Sequence, residues 1–343
     1  MEGNFIMATL FSDRLDSGVF AGRNAIINGN FLFWQRGTSF TADGNTSDRW
    51  RVGETTDGSL KVDRESTIKP TQDAVNYAYK VTVLTADSSL AATQYAEIHQ
   101  LIEGHNYLQF IGRTATLSFW VRSSLTGTYS VAFRNGSPYD RSYIAEYTID
   151  NANTWEYKTI TLKFDYTGGT WNTTTGIGLY ILFSLGCGST YAAAPGSWLS
   201  GNYIASNNQV NWMATVGNTF YLSNVQLELG SSASPFEVLD GETQTLKVHR
   251  YYEAKYYYTQ LTSTSSVQGY GYNMLTYDLK RAGPTTTYAG ATFWQPGIWY
   301  DATSVTIDSS WRDRMYVVFR YTQTGFSYGT ALGRATFYMD AEL

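Results

Sequence analysis

"TATLSFWVRS", Thr114 to Ser123, alternates without a break. Ala115, Leu117, Phe119 and Val121 fall on one side, and Thr116, Ser118, Trp120 and Arg122 on the other. A period of two marks a half-buried strand, because successive side chains leave opposite faces of the pleat. The pattern recurs in both directions along the chain. "YAYKVTVL" (77–84) groups Tyr77, Tyr79, Val81 and Val83, and "EYKTITLKF" (156–164) groups Lys158, Ile160, Leu162 and Phe164. "GIGLYILFSLG" (176–186) puts Ile177, Leu179, Ile181, Phe183 and Leu185 on one face, which reads as a core strand. "NTFYLSNVQLELG" (218–230) slips phase near Ser223-Asn224, where a bulge would reconcile its halves. "LAATQYAEIHQLIEG" (90–104) fits a helix loosely, but Ala96, Ile98, Gln100 and Ile102 alternate, and a strand is preferred.

Several such strands with polar turns between them predict an antiparallel sandwich or jelly roll. In "NAIINGNFLFWQRGTSFTADGNTSDRW" (24–50), Phe31, Phe33 and Trp34 read as a first strand and its core. Asp48-Arg49-Trp50 reads as a structural pair with its arginine on an indole, in preference to a catalytic carboxylate.

Composition agrees with an all-β chain. Tyr (28) and Gly (31) are abundant among 343 residues, and charged residues are 15%, against roughly 25% in an average domain. The net charge of −5, with no basic block, argues against nucleic acid as a partner. A single cysteine, Cys187, excludes an intrachain disulfide and the cysteine-rich zinc sites. Even the most apolar stretch, 176–186, is shorter than the roughly 20 residues of a membrane helix. The first residues carry early acids and no basic head, so no signal peptide is expected, and assembly in the cytoplasm is expected.

Three segments follow. Residues 1–23 form an arm with spaced apolar residues (Phe5, Leu10, Phe11, Phe20) that need burial elsewhere. Residues 24–239 hold the strands of the jelly roll. Residues 240–343 form a second, smaller β-rich domain. Asp240 is expected to cap a short helix at the junction, with Leu246 and Tyr251 inward. "RMYVVFRYTQ" (314–323) and "GRATFYMDAEL" (333–343) read as strands, while "AGPTTTYAGATFW" (282–294) and "QTGFSYGTALG" (323–333) read as turn-rich. "RYYEAKYYY" (250–258) places tyrosines on both faces of whatever element it forms.

These motifs together resemble a family of phage tail fibre and appendage proteins with a carbohydrate-binding-like jelly roll. The resemblance is carried by "NAIINGNFLFWQRGTSF" with "TSDRW", by "YAEIHQLIEG" with "GRTATLSFWVRSSLTGTY", and by "GNTFYLSNVQLELGSSASPFEV". "HRYYEAKYY", "YDLKRAGPTTT" and "FYMDAEL" extend it towards the C-terminus. It implies a virion structural protein, commonly oligomeric and typically trimeric, that recognises host-surface glycans. The arm would meet other virion proteins. The alternative is a capsid decoration or head-fibre protein with a purely structural role. Similar carbohydrate-binding modules often hold a structural calcium through acidic residues near their first and last strands. Here Leu32, Phe33, Ser223 and Asn224 stand at those places, a departure from that pattern.

No enzyme is expected. No Gly-x-Ser-x-Gly elbow is present, and His99, His105 and His249 have no common metal-ligand spacing. Asp140, Glu146, Asp150, Glu156 and Asp165 read as solvated acids and not as a glycosidase pair. No catalytic residue, metal or other cofactor is assigned. For glycan binding the candidates are Trp120 and Arg122 on the polar phase of their strand, with Trp171, Trp198, Tyr203 and Trp212 in loops rich in Gly, Asn and Ser. Aromatic faces stack on sugar rings while neighbouring polar groups meet the hydroxyls. Loop anchoring and subunit contact are the competing roles for the same residues, and these are preferred.

Overall fold

The computed structural model describes residues 22–71, 75–165, 167–263, 268–295, 298–301, 304–322 and 330–343. The arm expected over 1–23 lies outside them, apart from Gly22 and Arg23. The described residues up to Gln244, with Leu343, form one compact unit, and Thr245–Glu342 form a second.

The first unit opens with β1 (Ser39–Phe40), β2 (Gly44–Asn45), β3 (Trp50–Glu54), β4 (Ser59–Glu65), β5 (Ala78–Thr85) and β6 (Tyr95–Glu103). A short helix α1 (Gly104–Tyr107) leads to β7 (Thr114–Ser123), β8 (Gly127–Arg134), β9 (Arg141–Ile149), β10 (Glu156–Lys163) and β11 (Ile177–Cys187). After β12 (Ala192–Ala193), β13 (Trp198–Ser200) and β14 (Ala205–Ser206), the long β15 (Thr219–Leu229) closes the unit. The strands make an antiparallel jelly-roll sandwich. One sheet has the order β1-β4-β5-β15-β7-β10, and the other β13-β9-β8-β11-β6-β3-β2.

The alternating residues meet between these sheets. Phe119 of β7 packs edge-on against Phe183 of β11 at 5.0 Å and against Tyr147 of β9 at 5.2 Å. Leu117, Val121, Leu179, Ile181, Ile160 and Leu162 share the same buried cluster. Each such side chain contributes about 1.5–3 kcal/mol by leaving water.

β15 carries the bulge its phase slip predicts. Its register against β7 shifts between Ser223 and Gln226, and Asn224 takes φ 46°. Gly29 lies against the bulge: Val225 donates its N–H to Gly29 O, and a Cβ on Gly29 would fall 2.1 Å from Val225 O.

The opening segment departs from expectation. Phe31 and Trp34 are in the core, but residues 24–37 form turns and no strand. Asn28, at φ 58°, explains this. Its side-chain amide donates to Phe33 O, Ser47 Oγ and Asp48 O, and its Oδ1 accepts from Phe33 N. The backbone finds partners there instead of in a neighbouring strand. Asp48 is structural: Gln35 N donates to it, and the Arg36 guanidinium lies 3.3 Å away. Arg49 donates to Leu101 O, and Trp50 donates to Asn28 O.

The outer face of the first sheet also differs from a simple solvated face. Thr116, Ser118, Ser223, Gln226 and Glu228 are polar yet buried. The chain after β15 folds back over them: Ser234 N–H donates to Glu228 Oε1 at 2.7 Å, and Glu237 N–H to Gln226 Oε1 at 2.7 Å. Glu237 in turn accepts the N–H of Asn24 at 3.0 Å.

Helix α2 (Gly241–His249) is capped by Asp240, whose Oδ1 accepts from Thr243 N at 2.9 Å. Tyr251 is buried as expected, but Leu246 is 54% exposed and Val248 takes the inward position. The second unit is one seven-stranded antiparallel sheet of β16 (Tyr252–Ser263), β17 (Gln268–Thr276), β18 (Thr285–Gln295), β19 (Ile298–Asp301), β20 (Ser304–Ser310), β21 (Arg314–Thr322) and β22 (Thr330–Asp340). Its order is β19-β18-β22-β16-β17-β21-β20, with Leu275, Met315, Val317, Phe337 and Met339 buried on one face. The run 282–294, expected to be turns, is largely β18, which absorbs Gly290 at φ 60° in a register shift against β22. Of the other turn-rich run, residues 323–329 lie outside the described residues. In β16, Tyr257 packs against the core while Tyr256 and Tyr258 are exposed. Among the described residues no helix is long and apolar enough to cross a membrane.

Candidate functional site

The outer face of the second sheet carries a cleft of about 250 Å³. Strand alternation builds it. On β6, Ala96, Ile98 and Ile102 go to the core, so Tyr95, Glu97 and His99 point outward. On β11, Leu179 and Ile181 go inward and Tyr180 outward. Arg134 ends β8 directly opposite Tyr180 in the ladder. Arg51 of β3 stands opposite His99. Tyr139, at φ 60°, enters from the β8–β9 connection, and Tyr191 and Asn202 from the long connection after β11.

These side chains hold one another. The Arg134 guanidinium lies 4.4 Å from the Tyr180 ring centroid and 4.6 Å from that of Tyr139. Its Nη1 donates to Asn202 Oδ1. The two tyrosines meet at 74°, with hydroxyls 3.4 Å apart. The His99 ring is 5.5 Å from Tyr180, and its Nδ1 is 3.0 Å from Glu97 Oε1. Tyr95 and Tyr191 pack edge to face at 5.5 Å, and Arg51 faces Asp43 at 3.6 Å on the rim.

Burial, then the Tyr139 hydroxyl, holds the Tyr180 phenol well above its usual range, and burial with the Glu97 charge raises that of Tyr95. Both phenols are neutral at pH 7, as an ordinary phenol is, and keep a hydroxyl proton to donate. Cys187 lies nearby, and burial followed by the Glu97 charge pushes its thiol up to about 12. It stays a thiol, unsuited to nucleophilic attack. The cleft thus offers flat rings, neutral hydroxyls, an amide and a buried planar cation, with the Glu97 carboxylate on the same wall.

The six residues singled out from sequence do not converge. Trp120 and Arg122 lie on the outer face of the first sheet. Trp120 is half-buried beside Tyr157 at 5.3 Å, and Arg122 sits 5.0 Å from the Tyr221 ring while donating to Asn153 O. Trp171 and Trp198 pack against the main core. Trp171 stacks on Tyr107 at 4.8 Å and meets Trp198 edge-on at 5.7 Å, and their indole N–H groups go to Gly168 O and Lys163 O. These two anchor loops. Tyr203 is half-buried, its ring against Gly201. Trp212 is 0% exposed and packs on Phe220, so it has no face to offer a ligand. A Gly/Asn/Ser-rich surrounding marked it as a loop residue; the loop folds inward.

The acids over 140–165 are individually engaged. Thr170 and Asn135 hold Asp140, Asn208 holds Glu146, Lys158 meets both Asp150 and Glu156, and Arg141 holds Asp165. In the second unit, His249, Glu253 and Asp278 bring ligand-type atoms within 4.8 Å of one another, a grouping that spacing among the histidines alone did not reveal. His249 Nδ1 lies 2.6 Å from Asp278 Oδ2. The fully buried Lys280 ammonium takes the cation's place, 2.7 Å from Glu253 Oε2, so any metal would compete with it.

No protein-family model matches this chain, and no curated protein does. Solved structures resemble it at low identity. The enzymatically active domain of tailspike protein 4 from bacteriophage CBA120 is 14% identical with a TM-score of 0.35, over 61% of this chain and 22% of that one. This chain therefore spans about a fifth of the tailspike's length. A xylan-binding domain from Paenibacillus barcinonensis is 17% identical with a TM-score of 0.30, over 56% of this chain and 99% of that one. A family 11 carbohydrate-binding module from Clostridium thermocellum is 10% identical with a TM-score of 0.30, over 57% and 96%.

Proposed function

We propose that the sandwich is a saccharide-recognition domain whose ligand lies in the cleft above β6, β11 and β8. One observation carries this reading: Tyr139, Tyr180 and Arg134 form a fixed, largely desolvated aromatic–cation platform beside Asn202. Sugars present apolar C–H faces to aromatic rings and hydroxyls to such donors and acceptors. The site binds and does not turn over its ligand. The test is a glycan array probed with the full chain. Retention of a defined saccharide group is expected, and a blank array at millimolar ligand in solution would contradict it.

The domain serves a phage virion appendage, a tail fibre or similar, in a homotrimer that engages several surface glycans at once. The support is the motif resemblance across 24–343. A capsid decoration or head-fibre role is the alternative, favoured by the exposed Tyr256, Tyr258 and Trp311 of the second unit, which suit protein contacts. Mass measurement in solution should find three copies. A stable monomer at micromolar concentration would contradict the trimer.

A further inference from the structure

We infer that the ligand of this cleft is an acidic saccharide whose carboxylate pairs with Arg134. The inference rests on the saccharide reading above and narrows it. Arg134 is 8% exposed, so its charge is largely withdrawn from water. Two tyrosine rings fix the plane of the guanidinium, and Nη1 is committed to Asn202. Nε is buried and has no acceptor among the described residues. A buried N–H left without an acceptor is costly inside a protein.

Glu97 and Asp43 line the same cleft, but no carboxylate among the described residues is bonded to Arg134. Glu97 lies at His99, Asp43 at Arg51, and Asp140 at Thr170. A guanidinium meets a carboxylate through charge-assisted N–H···O bonds that are stronger than those to a neutral acceptor. A neutral hydroxyl could accept one of them but would leave the charge unmatched. A uronic or sialic acid supplies both the carboxylate and the ring face that Tyr139 and Tyr180 suit.

The experiment compares galacturonate, glucuronate and N-acetylneuraminate, and short oligomers of the first two, with their methyl esters and with galactose and glucose. Binding to the wild-type chain is followed by calorimetry. The free acids should bind about tenfold or more tighter than the esters, the scale of a charge-assisted pair. In Arg134→Gln the acid and ester should become equal, and Arg134→Lys should recover only part of the difference. Equal affinity of acid and ester in the wild-type chain overturns the inference and leaves the saccharide reading standing, and that comparison needs no variant to fold. Failure of these sugars and of every saccharide on the array to bind overturns both.

Discussion

Arg134 and Tyr180 face each other across the β8–β11 ladder, and the guanidinium lies 4.4 Å from the ring centroid. The register alone puts them there, one on each strand at the same level. Tyr139 completes the arrangement from a loop and is only half-buried, so its removal tests the platform without opening the core. Tyr139→Ala should lower saccharide affinity about tenfold, from the loss of one ring contact and of one wall of the arginine's slot. Calorimetric titration reads this directly, and an unchanged affinity would remove Tyr139 from the site.

Trp212 and Trp120 should behave as opposites. Trp212 is fully buried against Phe220, so Trp212→Ala should cost about 3–5 kcal/mol in denaturant unfolding. Trp120 is half-buried beside Tyr157, which is itself 43% exposed, so Trp120→Ala should cost less than about 1.5 kcal/mol. A similar loss at both sites would contradict this placement.

Acid should weaken the sandwich through Asp165. Burial raises its pKa, but hydrogen bonds from Thr167 and Arg141 outweigh that, and the folded value lies below the ordinary 3.8. A depressed carboxyl contributes stability that is complete above 3.8 and lost as pH falls through the folded value. Asp165→Asn should cost about 2 kcal/mol at neutral pH and flatten the decline of stability below pH 4. An unchanged acid limb would assign the decline to other groups.

The strands were legible because alternation is local: Leu117, Phe119 and Val121 announce their own face. The bulge at Asn224 was legible for the same reason, since a phase slip is visible in one strand. Residues 24–37 were misread because the side chain of Asn28 replaces a ladder, and no periodicity records that. The cleft was missed for a different reason. Tyr95, Glu97 and His99 stand on the outward phase of one strand and Tyr180 on that of another, but only the pairing of β6, β11 and β8 makes them neighbours. The available signal was the presence of aromatics on the outward phase of those strands. The tryptophans of the polar loops, Trp171, Trp198 and Trp212, are the more conspicuous signal in the sequence, but the fold packs their indoles as the anchors their loop setting suggested.

The most direct test of the central claim is an NMR titration of the wild-type chain with a saccharide retained on the array, following assigned side-chain and backbone signals. The account predicts that the largest shifts cluster at Tyr95, Arg134, Tyr139 and Tyr180. Shifts centred on Trp120 and Tyr157 instead, or no saturable shift at any of these residues, would contradict it.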